Sequence, residues 1–499
     1  MRSLYILIRC KLGFLFLLLQ PHIKTINVMK LKQLALVFAV IAPHMAAATE
    51  YTVSPGDNLA TAIGKLQAGD VLYLADGQYD LTSTLEIKRQ GDASHMITIT
   101  AANGAKPVID FRGQALGSNG IKVGGQYLHI SNITIRYAGK KGIWLEGAKY
   151  CILEHLDVYG CCDSGIQLRS GGHNTVVNCD SHDNFDYQNK GGNADGFADK
   201  QGDACSGNVY IGCRAWGNSD DGWDSYQRVT DGTPTVYINC ITYNNGRAKF
   251  DLSQHPRALG VDASRFEGQD LSAVENGGNP NGFKLGGDGT AHHVELYRCL
   301  AIGHRSKGFD QNNNAGRMKI INCTAFTNKI NYGFGNDYAY TLDIHNCISL
   351  DAVDSDIKTH KSGTVSQSHN SWLAGFPAAD DDFESLDVEG LLLSPRNADG
   401  TLPETLLLHL KSTASALIDK GVVYDKTQFE GDAIADYVGY HGTAPDLGCY
   451  ETAGSSSGIF GIVEDASEVN PNSPCFDLHG RRVSPNYRGI KVQNGRKYY

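Results

Sequence analysis

Two short strings hold the residues best suited to chemistry: Asn193-Ala-Asp195-Gly-Phe and, twenty-five residues after Asp195, Asp220-Asp221-Gly-Trp-Asp224. Four carboxylates gathered at one point do not stay ionised at neutral pH without a cation, because like charges a few ångströms apart repel strongly. Calcium suits such a set, being a hard ion that takes oxygen ligands in irregular six- to eight-fold geometry. No histidine falls inside the cluster and no Cys-x-x-Cys pair occurs in the chain, which argues against zinc. Aspartates also cap turns, and for a lone Asp-Asp pair that is the better explanation. The recurrence of Asp195, Asp220, Asp221 and Asp224 around a Gly-aromatic pair favours a metal site.

The elements that position these residues are read from a repeat. Between about residues 97 and 350 a short β-branched run, an Asn-Cys or its equivalent, a polar turn and a Gly followed by a large apolar residue recur. Gly142, Gly165, Gly196, Gly222, Gly282, Gly308 and Gly333 mark the corner, mostly 23 to 26 residues apart, one turn of a solenoid. The expected fold is all-β, a right-handed parallel β-helix of about ten coils whose coils touch only their neighbours. The Cys-to-Gly distance is nine residues in regular coils, seventeen from Cys179 to Gly196 and forty-two from Cys240 to Gly282. Residues 184–192 and 247–280 are therefore loops, both entering before the same corner.

The phase superposes side chains. Ser164, Asp195, Asp221, Asn281 and Lys307 precede the glycines; Gln167, Ala198, Asp224, Lys284 and Asp310 follow the apolar residues. With strands about 4.8 Å apart, Asp195 meets Asp221, and Asp224 meets Lys284 across sixty residues of sequence. A partly desolvated lysine beside a bound dication loses its proton more readily, which suits a general base, and Asp310 one coil further opposes that shift. Arg214, Arg228, Arg305 and Lys307 lie in or near this face as candidates for binding an anionic substrate, with Arg305 and Lys307 foremost. Phe185 and Tyr187 either wall the cleft or pack on the solenoid.

Upstream, residues 54–66 read as an N-capped amphipathic helix that plugs the open end of the solenoid, followed by a strand at 71–74. Formal net charge is -10 with no long Lys/Arg run, which disfavours nucleic acid or an anionic membrane surface. Met29-Lys-Leu-Lys, a short apolar stretch and Ala46-Ala-Ala-Thr form a secretory signal, with Met29 as the start and cleavage near Ala48. Residues 453–460 read as a flexible linker, and the basic tail 461–499 resembles the C-terminal sorting signals of type IX secretion. Most of the 13 Cys recur at one phase of the repeat and read as stacked core residues; Cys161 or Cys162 with Cys151 or Cys205 remains open as a disulfide.

The strings Asn193-Ala-Asp-Gly-Phe-Ala, Gly212-Cys-Arg-Ala-Trp-Gly-Asn-Ser-Asp-Asp-Gly-Trp-Asp224 and Gly282-Phe-Lys-Leu-Gly286 together resemble family nine of the polysaccharide lyases, calcium-dependent pectate lyases, over about residues 50–452. The resemblance implies a secreted, monomeric enzyme that cleaves the acidic polysaccharide homogalacturonan by β-elimination. It puts calcium on Asp195, Asp220, Asp221 and Asp224 and the proton-abstracting base on Lys284. The substrate-binding candidates are Arg305, Lys307, Arg228 and Asp310. The rival readings are a hydrolase with two unmetallated carboxylates, a lyase or epimerase acting on alginate or chondroitin, and a non-catalytic carbohydrate-binding solenoid with structural calcium.

Overall fold

The computed structural model describes residues 48–452 except 188, 190, 203–206, 230–231, 247–277, 279, 393, 424–439 and 441, together with 475–476, 482–484, 491–493 and 496–498. Among the described residues, those from Thr49 onward form one compact body. The expected signal segment 1–48 lies outside the described residues apart from Ala48, as do the linker 453–460 and nearly all of the 247–280 insert.

Among the described residues, three parallel sheets of twelve, ten and ten strands wind as a solenoid, each inner strand pairing with its counterparts one coil before and one coil after. The coils begin earlier and end later than the repeat suggests, from Glu50–Val53 to Thr364–Ser368. The end coils lack the Asn-Cys and Gly-apolar signatures, so the sequence period fades before the pairing does.

The Asn-Cys signature has two physical halves. Cys179, Cys213, Cys240, Cys299, Cys323 and Cys347 are all fully buried, one above the other in the core. The preceding Asn178, Asn239, Asn322 and Asn346 have φ of 50°, 51°, 52° and 57° and make the sharp corner into the next strand. Asparagine visits this left-handed region more readily than other non-glycine residues, so it punctuates each coil. Cys151, Cys161 and Cys162 are buried and form no disulfide among the described residues, and Cys205 lies outside them.

The helix Leu59–Lys65 closes the N-terminal end. Asn58 caps it by accepting the Thr61 N–H at 2.9 Å, and Leu59, Ile63 and Leu66 enter the main core. At the far end the chain returns along the solenoid: Phe383, Leu407, Leu410 and Leu417 pack on the outer face of the second ten-stranded sheet at Ile241, Leu300, Ile302, Phe326 and Ile348. Among the described residues no helix is long and apolar enough to cross a membrane.

Candidate active site

The first ten-stranded sheet carries the site. Its strands include Ile143–Glu146, Ile166–Arg169, Phe197–Asp199, Trp223–Asp224, Phe283–Lys284 and Lys307–Asp310. Ile166, Phe197, Trp223, Phe283 and Phe309 stand in register and point into the core. Phe197 stacks on Trp223 at 4.5 Å between centroids, and Trp223 on Phe283 at 4.9 Å. Each buried ring contributes about 2–3 kcal/mol of apolar burial, and stacking adds about 1 kcal/mol. This column holds the rungs that present the polar residues on either side of it.

Gln167, Ala198, Asp224, Lys284 and Asp310 form the next register column, on the outward face. The residues before the glycines form another: Ser164 Oγ donates to Asp195 Oδ2 at 2.8 Å, the Asn281 N–H and Nδ2 donate to Asp221 Oδ1 at 2.7 and 2.8 Å, and the Lys307 N–H donates to Asn281 Oδ1 at 3.1 Å. Glycine is required between the columns because the coils nearly touch there; a Cβ on Gly196 would sit 2.6 Å from the Ala215 methyl.

Asp195, Asp221 and Asp224 converge, with one carboxylate oxygen from each within 4.8 Å of the others, and all three are buried. Asp220 stands beside them with Oδ2 accepting the Asn193 N–H at 2.9 Å and is not part of the convergent set. Lys284 Nζ lies 3.0 Å from Asp221 Oδ2 and 3.3 Å from Asp224 Oδ1. A second lysine, absent from the sequence reading, completes the group: Lys200 Nζ bridges Asp195 Oδ2 and Asp224 Oδ2 at 2.8 Å each. It follows the strand Phe197–Asp199 by one residue, outside both columns that the glycine phase defines. The only sequence signal was a lysine four residues past a corner glycine, where the next coils have Tyr226 and Gly286.

Burial and mutual repulsion shape the charges. Burial raises the Asp195 pKa to about 7 against the pull of Lys200, and burial raises Asp221 well above its usual range despite Lys284. Burial opposes the charge of Asp224 too, yet Lys200 and Lys284 together hold its pKa below normal. Both lysines lose stabilisation by burial and regain more from the aspartates, so both are held well above the ordinary lysine value. Four aspartates against two lysines leave a formal excess of two negative charges, and every remaining donor is oxygen. One divalent oxygen-seeking cation fits that set.

The other candidates fall in different places. Arg228 is fully buried, 3.1 Å from Asp199 Oδ1, and donates to the Gly171 carbonyl; in this position it reaches no polymer. Arg214 is also buried, gripping Asp180 at 2.7 and 2.9 Å beside Arg396, and so fastens the returning C-terminal segment. Asp310 is fully buried and accepts from Lys307 Nζ at 2.7 Å, which likewise removes it from direct substrate contact. Lys307 and Arg305 are half-buried at the same corner. Phe185 and Tyr187 pack edge to face at 4.7 Å and are buried, taking the packing alternative over the cleft wall.

Residues 39–349 match the family model described as Pel9A-like, right handed beta helix region. The chain belongs to that family. Pectate lyase L of Dickeya dadantii (strain 3937) is 33% identical over 414 residues, spanning 79% of this chain and 85% of that one. The crystal structure of pectate lyase Pel9A aligns with a TM-score of 0.67 at 30% identity, covering 82% of this chain and 98% of its own. A rhamnogalacturonan lyase aligns at 0.59 with 22% identity, covering 74% and 98%, a likeness of fold alone. The resemblance to polysaccharide lyase family nine is thus matched by relatives that cover most of the chain, and the enzyme is a pectate lyase.

Proposed function

We propose that the enzyme cleaves polygalacturonate by β-elimination, with Lys284 as the base and calcium on Asp195, Asp221 and Asp224, Asp220 standing next to them as the fourth ligand. The observation that carries this reading is the buried convergence of three carboxylates on adjacent coils with a lysine 3.0 Å from one of them. Calcium bound there supplies positive charge that neutralises the C6 carboxylate of a uronate and acidifies its C5 proton.

Lys284 accepts a proton only if its amine is neutral, and the aspartates now hold it protonated. Once their charge is balanced, burial and the neighbouring Lys200 ammonium both favour the neutral amine. Lys284 then takes the C5 proton, the C5–H electron pair forms the C4–C5 double bond, and the C4 glycosidic oxygen leaves and is reprotonated. One new end is an unsaturated uronate. Lys200 stays charged between Asp195 and Asp224 and keeps their carboxylates aimed across the coils.

Export before action on an extracellular polymer is part of the proposal and rests on the residues 29–48 pattern, as is action as a monomer, which rests on the resemblance alone. The test is growth of ultraviolet absorbance from the unsaturated product on polygalacturonate, alginate and chondroitin, with calcium or with chelator. Absorbance growing on polygalacturonate alone, and only with calcium, supports the reading; reducing ends without absorbance would point to hydrolysis, and full activity in chelator would remove the metal from it.

A further inference from the structure

The two columns that carry the aspartates continue upstream of them, and there they carry lysines. Each corner glycine donates its N–H to the carbonyl of the residue before the next glycine: Gly120 to Lys141, Gly142 to Ser164, Gly165 to Asp195, Gly196 to Asp221. Lys141 therefore stands in the column of Asp195 and Asp221. The outward column runs Lys122, Trp144, Gln167, Ala198, Asp224, Lys284 by direct pairing. Lys122 thus stands in the column of Asp224 and Lys284, four rungs from Asp224, roughly 19 Å at about 4.8 Å per rung.

The two ammonium groups are organised around one indole. Lys122 Nζ sits 4.5 Å from the Trp144 ring centroid and Lys141 Nζ 5.8 Å from it. Such contacts hold a cation in place without neutralising it. Lys141 is paired with Asp163 at 2.9 Å, and Glu86, which pairs with Lys88, acts on Lys122 from the adjacent strand. Lys122 has no ion-pair partner among the described residues. Lys200 is close enough to act on Lys141, so a sparse line of ammonium groups joins this pair to the aspartate cluster.

We propose that Lys122 and Lys141, held about Trp144, form a carboxylate-binding subsite for a distant uronate of the chain whose reacting sugar meets the aspartate cluster. A polymer with one carboxylate on every sugar, laid along the solenoid axis, meets fixed cations on the same face. The inference rests on the polyuronate substrate proposed above.

The experiment measures KM for galacturonate oligomers of graded length with the full-length enzyme, Lys122→Met and Lys122→Glu. Lys122 is only half-buried and unpaired, so neither change removes a structural contact other than the one to Trp144. For the parent, affinity should rise with length until the oligomer spans the distance to Lys122. In Lys122→Met the gain on long chains should fall roughly two- to fivefold and in Lys122→Glu further, while oligomers too short to reach it keep the parent KM. Lys141→Met should show the same length dependence. Parent-like KM for long chains in both Lys122 variants, or a parent affinity that ignores length, would overturn the subsite alone. A parent that acts on no galacturonate oligomer would overturn the substrate reading and the subsite with it.

Discussion

Lys200 offers a perturbation whose size differs with and without metal. In Lys200→Met the stem volume is kept and the ammonium that bridges Asp195 and Asp224 at 2.8 Å is lost. Removing one partner of a buried ion pair costs about 3–5 kcal/mol. Asp195 has its pKa at about 7 with Lys200 beside it, and loss of the ammonium pushes it higher, so proton uptake absorbs part of that loss near neutral pH and the comparison belongs on the alkaline side, at about pH 8.5 or above. There the metal-free variant should be destabilised by about 3 kcal/mol. A dication on the same carboxylates restores much of the missing charge, so the calcium-loaded variant should lose less. By thermodynamic reciprocity the difference must appear as tighter calcium binding. If half of the loss is recovered, about 1.5 kcal/mol, the dissociation constant falls about tenfold. An indicator-competition titration of chelator-treated protein reads this directly. An unchanged or weaker calcium affinity in Lys200→Met would refute the view that lysine and metal balance the same charge.

Other consequences follow from the packing around the site. Trp223→Ala removes the middle of the aromatic column and should destabilise the protein by about 3–5 kcal/mol in denaturant titration, weakening calcium binding because Asp224 is its neighbour. Burial opposes the charge of His182, but hydrogen bonds to Asp157 and Asp183 outweigh it and raise its pKa to about 9. A pKa raised above the unfolded value of about 6.5 gives stability that is complete below pH 6.5 and lost as pH climbs through 9. Melting temperature should therefore fall over that window in the parent and much less in His182→Gln.

What the sequence revealed depended on period. Asp195 with Asp221, and Asp224 with Lys284, were legible because a glycine every 23 to 26 residues fixes the phase, and the pairings Trp223 to Phe283 and Asp224 to Lys284 follow that phase. The Cys column was read as core, whereas the partner Asn was not read as the left-handed corner, because a backbone angle leaves no side-chain periodicity of its own. Lys200 was invisible for the opposite reason: it reaches the cluster from beyond the strand end, where neighbouring coils place Tyr226 and Gly286. Arg214 looked exposed because its strand faces outward. The segment that covers it, through Arg396 on the shared Asp180, lies 182 residues later and has no repeat to announce it. Arg228 and Asp310 show the same limit, since a charged residue next to a cleft motif can be taken up by a neighbouring counter-ion, the buried Asp199 for one and the half-buried Lys307 for the other.

The central claim is that Lys284 removes the proton while the aspartates hold the metal. Lys284→Ala, assayed for unsaturated product on polygalacturonate and titrated with calcium in parallel, tests both halves at once. Turnover should fall by at least about a hundredfold, the scale of a lost general base, with calcium still bound. Near-normal turnover in Lys284→Ala would contradict it.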